Sequence, residues 1–208
     1  MKVNPELEPP TAPSLSTHSV VEAELAIVRS INSHLRSMEK AAKEVCAAIC
    51  LYQFSCDNGG EGLFSDWIFL AARCGALSIR DFGVSMAKVR GLIGQVQVYK
   101  DAFNVKSQKE AELEFKAYFP FCDKMRHSAA HPEVYNDPNK NIPFEGDYVG
   151  TTIRLEGVSQ MSISSLFDGD TYIATFDGAI VNYSLDMATI KTINAVTQKF
   201  FGSFVETL

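Results

Sequence analysis

Apolar residues recur along this chain at helical spacing in several stretches and at strand spacing in one. Ile27, Ile31, Leu35, Met38, Ala42, Val45 and Ile49 follow at intervals of four and three, which lays one apolar stripe along a helix. Ser16 or Thr17 can cap it, so the pattern predicts a long helix from there to about Phe54. Three glycines and an asparagine in "SCDNGGEG", residues 55–62, then break the chain. The second stripe is the cleanest: Ile68, Ala72, Gly75, Ile79, Phe82, Met86, Val89 and Ile93. It predicts a helix capped by Ser65, with Asp66 at the positive end of the dipole. Small residues at 71, 72, 75 and 76 let a neighbouring helix come close, and glycines 75, 83 and 91, eight apart, ease packing in the same way.

A third segment from about Ser107 carries Leu113, Ala117, Phe121 and Met125 at i+4 spacing. Pro120 falls inside it and either kinks the helix or restarts it. Pro132 disfavours the α conformation at His131 and puts that histidine at a helix exit.

The chain then changes character: "PEVYNDPNKNIPFEGDY", residues 132–148, is turn-rich, and strand patterning follows it. Asp168-Gly169 and Asp177-Gly178 lie between β-branched and aromatic residues, which predicts two tight hairpins and a three-stranded meander. A last helix, capped by Ser184, carries Ile190, Ile193, Val196, Phe200 and Phe204. A meander of that size needs support. The expected fold is therefore mainly α: an up-down helical bundle of four to five helices with a small antiparallel β-meander inserted before the last helix. In domain terms this is a flexible proline-rich arm over 1–16 and a single domain over 17–208, with the insertion at about 148–184.

Composition adds limits. The chain has 208 residues, 46% hydrophobic and 21% charged, ordinary for a globular protein able to bury its own core. Its opening residues read as neither a signal nor a transit peptide, and no apolar run is long enough to span a membrane, so the cytoplasm is the expected compartment. Five cysteines without a C-x-x-C pair, mostly inside apolar patterns, suit reduced, buried thiols. The net charge of −6 is unevenly spread: residues 1–131 hold 15 Lys+Arg and 15 Asp+Glu, residues 132–208 hold 4 and 10. The helical part is neutral and has room for a small basic site, but no broad basic stripe stands out.

The candidate chemistry lies in "CDKMRHSAAHPEVY", residues 122–135, which holds two of the four histidines. Arg126 and His131 are separated by four residues, with His127 beside the arginine. RNA can be cut without a metal if a base deprotonates the 2′-hydroxyl, a cation stabilises the crowded phosphorane and an acid protonates the leaving oxygen. Histidine titrates near neutral pH and serves as base or acid. Arginine presents a charged, planar fork that matches phosphate oxygens.

This Arg-x4-His pattern, with a polar residue after the arginine and a place near a helix end late in a bundle, resembles the motif of the HEPN superfamily. The resemblance implies an all-helical homodimer, metal-independent endoribonuclease activity, no cofactor, and Arg126 and His131 as catalytic residues. An isologous dimer would bring two copies of the pair together, and His127 would position phosphate. Where some HEPN toxins carry a tyrosine two positions after the histidine, this chain has Glu133. The β insertion has no counterpart in the minimal family bundle. The alternative within the same family is a catalytically silent module that binds a nucleotide, RNA or a protein partner.

Two other readings use the same residues. His127 and His131, at i and i+4, share a helix face and could ligate a metal, but Lys124 and Ser128 stand where a Glu-x-x-His bundle site would place glutamates. They also read simply as solvated cations at a helix C-terminus, in a protein whose meander binds a partner. No phosphate-binding loop, dinucleotide turn, H-E-x-x-H or G-x-S-x-G motif occurs in the chain.

Overall fold

The computed structural model describes residues 7–18, 20–59, 61–100, 103–125 and 142–204. Its helices are α1 (Glu22–Asp57), α2 (Leu63–Ile93), α3 (Gln97–Lys100), α4 (Val105–Tyr118) and α5 (Met187–Gly202). Its strands are β1 (Phe144–Val149), β2 (Arg154–Met161), β3 (Leu166–Asp168), β4 (Thr171–Phe176) and β5 (Ala179–Ser184). The chain is thus mainly helical, with a small antiparallel β region before the last helix. Its contacts divide it into two compact units. The first takes the described residues of Met1–Cys46, Asp81–Pro120 and Ile190–Leu208, the second those of Ala47–Arg80 and Phe121–Thr189.

In the first unit the predicted stripes are buried: Ile31, Leu35, Met38, Ala42 and Val45 on α1, Phe82, Met86 and Val89 on α2, and Ile190, Ile193, Val196, Phe200 and Phe204 at the C-terminal end. The residues before α1 lie along it. Asn32 exchanges two hydrogen bonds with the backbone of Leu15, and Glu39 accepts from the N–H of Ala12 at 2.9 Å. α1 begins at Glu22, after a turn in which Val20 N–H reaches the carbonyl of Thr17, four residues later than the Thr17 cap would place it.

α4 departs from its predicted face. Asn104 caps it, accepting from the N–H of Ser107 at 3.0 Å, and Ser107 itself bonds to the carbonyl of Lys199. Buried residues are Gln108, Ala111, Glu112 and Phe115, whereas Leu113 is 67% exposed. The i+4 ladder from Leu113 to Met125 crosses Pro120, where the helix has already ended: Phe119 N–H closes on Phe115 at 2.8 Å, and a new turn over 122–125 follows. A ladder read through that break mixes two helical phases, so only Met125 of the four is buried. Glu112, nearly buried, pairs with Arg90 and with Lys116.

In the second unit β3, β4 and β5 form the expected meander. At the second hairpin Asp177 and Gly178 both take positive φ, 51° and 69°, as a type I′ turn requires. The first hairpin sits one residue later than predicted. Asp168 pairs with Thr171, so the two-residue loop is Gly169-Asp170, with Gly169 at φ 60°. β1 and β2 form a further antiparallel pair, and most of β1 falls within the stretch over 132–148 that reads as turn-rich. Gly146 and Gly157 adopt φ 128° and 61° within it and the register shifts twice, so bulges hide the alternation. The α5 N-cap is Asp186, which accepts from Thr189 N–H, rather than Ser184.

The small patch on α2 receives an aromatic ring from a strand instead of a helix. Tyr183 of β5 is buried over Gly75, where a Cβ would overlap its hydroxyl, and that hydroxyl donates to the carbonyl of Ala72 at 2.5 Å. In the first unit Gly83 plays the same part for Phe115, while Gly91 faces nothing within 4 Å. Gly75→Ala is therefore expected to destabilise the protein. Overpacking and the strained hydroxyl bond cost about 1–3 kcal/mol, against a gain of about 1 kcal/mol in helix propensity. Gly91→Ala is expected to raise stability by roughly that propensity alone. Urea unfolding of the two variants checks the opposite signs, and equal shifts would refute the packing account.

Candidate functional site

Arg126, His127 and His131 lie outside the described residues. The chain is described up to Met125, which is helical and buried and whose N–H reaches the carbonyl of Phe121 at 2.8 Å. Just before the motif, Asp123 stands 3.9 Å from Arg80 and Lys124 3.6 Å from Asp177. Ion pairs and a buried methionine thus fix the chain as it enters the candidate site.

A second candidate, missed by the sequence reading, lies on α1 within the first unit. Arg29, Asn32, Ser33, Arg36, Ser37 and Lys40 line a shallow groove of about 430 Å³. At 100° per residue these side chains fall opposite the buried stripe of Ile31, Leu35 and Met38. Arg29 and Arg36, two turns apart, have no carboxylate partner among the described residues. Glu39, the acid nearest to Arg36 in sequence, is taken by Lys43 at 2.6 Å and by the N–H of Ala12, and these bonds hold its carboxyl below the usual range. Lys40 lies 3.6 Å from Glu44 in an exposed pair, worth at most about 1 kcal/mol and readily exchanged for a phosphate. The groove offers two guanidinium forks and an ammonium, a donor set suited to phosphate oxygens, while the Asn32 amide is engaged by the backbone of Leu15 and the Ser37 hydroxyl by the carbonyl of Ser33. The signal was present as basic and hydroxyl residues at i, i+3 and i+4 behind the apolar stripe, but a net charge summed over 131 residues conceals it.

The most perturbed carboxylate is structural. Asp168, buried, accepts from the hydroxyl and N–H of Thr152, from the N–H groups of Thr151 and Ile153, and from the hydroxyl of Tyr148. The Thr152 hydroxyl above all, with the three backbone N–H groups, holds its carboxyl at about 2 against the opposing effect of burial. With every lone pair engaged it has no capacity left for a substrate proton. Burial and the bond to Asp168 push the Tyr148 hydroxyl up to about 12. Tyr52, bonded to Asp170 at 2.9 Å, is pushed up mainly by burial.

All five cysteines are free, but only Cys46 is buried, and Cys56 and Cys74 are exposed. The expectation of buried thiols therefore fails at two positions: Cys74 lies on the side of α2 away from its stripe, and Cys56 lies in the last turn of α1, beyond the buried part of its stripe. Among the described residues no group of three metal-ligating side chains occurs, and no helix is long and apolar enough to cross a membrane. No protein-family model, curated protein or solved structure matches the chain.

Proposed function

We propose that the protein is a HEPN-like, metal-independent endoribonuclease built on an up-down helical bundle and acting as a pair of chains. The observation that carries the reading is the spacing of Arg126 and His131 directly after a helical turn in a mainly helical chain. Arg126 clamps the phosphorane, His131 moves the proton to or from the ribose or leaving oxygen, and His127 orients the phosphate. The 2′-oxygen attacks the adjacent phosphorus, the bond to the 5′-oxygen breaks, and that oxygen takes a proton. The products carry 2′,3′-cyclic phosphate and 5′-hydroxyl ends. Incubation with RNA in EDTA tests this. Cyclic phosphate ends support the reading, and intact RNA at high protein concentration overturns it.

The α1 groove favours a second reading, a binding module without chemistry, because it gathers phosphate donors and no proton-transfer group. On either reading Arg29→Glu with Arg36→Glu is expected to weaken RNA binding and to reduce the slope of log K against log salt by about 1.4–1.8, two phosphate contacts' worth. Fluorescence anisotropy across a salt series measures it. An unchanged slope excludes the groove as an RNA contact.

A further inference from the structure

The first three turns of α2, in the second unit, are apolar on both sides. Ala71 and Ala72 are buried inward, as the stripe predicts. On the opposite side Leu63 is 62% exposed, Leu70 is 52% exposed, Cys74 is exposed and Trp67 is half-buried. At 100° per residue these four fall within an arc of about 60°. Phe54 of α1, 48% exposed, extends the patch by stacking on Trp67 at 6.4 Å, and Phe64 meets Trp67 edge-on at 5.6 Å. A helix apolar on all sides belongs to an interior, and a contiguous exposed patch marks a surface that another molecule covers.

Two features of the patch identify its occupant. The spacing of Leu63, Trp67, Leu70 and Cys74 is four, three and four, which reads the same from either end. An antiparallel second copy therefore sets Leu63 against Cys74 of the partner subunit and Trp67 against Leu70 of the partner subunit. Asp66 and Arg73 lie on one flank of this stripe, on either side of its centre. A two-fold axis through that centre reverses the helix but keeps the flank, so each Asp66 meets the partner's Arg73. The neighbouring charges are acidic, Asp57 and Glu61, with no Lys or Arg between 55 and 72. That sign disfavours a nucleic acid or an anionic membrane at this face.

We propose that α2 pairs with α2 of a second copy of this chain, antiparallel, through Leu63, Trp67, Leu70 and Cys74, with Asp66 and Arg73 setting the register. The inference bears on the pairing that the proposed chemistry draws on, but it rests on this face alone. A dimer that cleaves no RNA upholds it and leaves the catalytic reading to fail separately.

Sedimentation velocity over a protein concentration series tests it. The full chain is expected to sediment as a dimer that Leu70→Lys abolishes, with unchanged circular dichroism because Leu70 is exposed in the single chain. Asp66→Arg and Arg73→Asp should each weaken the dimer by about fivefold or more, and the double swap should restore it. Under mild oxidation Leu63→Cys should form an interchain disulfide that disappears when Cys74→Ser is added. A monomer at all concentrations, a dimer indifferent to Leu70→Lys, or charge swaps that do not rescue one another would each overturn the proposal.

Discussion

Alanine at His131 is expected to slow metal-free RNA cleavage by about 10²–10⁴-fold, the range a positioned general acid or base supplies. Arg126→Ala is expected to lower it by about 10²–10³-fold, as removal of a donor to a developing oxyanion does elsewhere. Arg126→Lys should recover little, since an ammonium lacks the fork that spans two phosphate oxygens. The kinetic form of the loss matters as much as its size. The extra charge on phosphorus exists only in the transition state, so kcat should fall with KM nearly unchanged. Arg29→Glu with Arg36→Glu should do the reverse, raising KM and sparing kcat, because contacts to phosphates remote from the cleaved bond would be equally strong in the ground and transition states. Loss of His131 should also flatten the limb of the pH–rate profile that it governs. A His131→Ala variant that keeps both the rate and the profile would remove the motif from the mechanism and leave RNA binding alone.

The elements most legible in the sequence are those where one force acts without competition. The stripes of α1, α2 and the last helix place Leu35, Ile79 and Ile193 in the interior as expected, because burial of a continuous apolar row dominates there. Elsewhere a local feature overrides the pattern. Pro120 ends α4 and changes its phase, so Phe115 and Phe119 go inward while Leu113 stays outside. Glycines at 146 and 157 bend β1 and β2 out of strict alternation, and β1 reads as part of a turn-rich stretch. The Asp-Gly dipeptide at 168 marks a hairpin correctly but not its loop, because the aspartate is held by groups fifteen to twenty residues upstream.

Functional features were legible in proportion to how local they are. Arg126 and His131 can be read from their five-residue spacing, but spacing does not encode what faces them. The basic face of α1 and the outward apolar row of α2 are each half of an amphipathic analysis that attends first to the core. On α1 the face opposite the stripe is a line of cations and hydroxyls, where a solvated surface needs only mixed charge. Over the first three turns of α2 the opposite face repeats the hydrophobicity of the first. A helix whose second face is neither mixed nor polar carries information beyond its fold.

Asp168→Ala is expected to unfasten the β1–β2 hairpin from the meander. One carboxylate there takes five hydrogen bonds from the strand end and loop over 148–153, and Gly150 passes so close that a Cβ would overlap it. A two-stranded hairpin has little stability of its own. Losing the acceptor leaves three backbone N–H groups and two hydroxyls without the carboxylate that ties them to the end of β3. Asp168→Asn should fall between, since it keeps one accepting oxygen but turns an amide donor toward other donors. Acid should reproduce the effect. The carboxyl is held at about 2, below its ordinary 3.8, so its contribution is complete above the unfolded value and is lost as pH falls from about 4 through 2. Hydrogen exchange at Thr151, Thr152 and Ile153 is the direct measure. All three amides should lose protection in Asp168→Ala at neutral pH and in the native protein near pH 2, while amides in the middle of α1 stay protected in the variant. Full protection of the three amides without the carboxylate would mean that the hairpin stands on its own pairing and that the aspartate merely follows it.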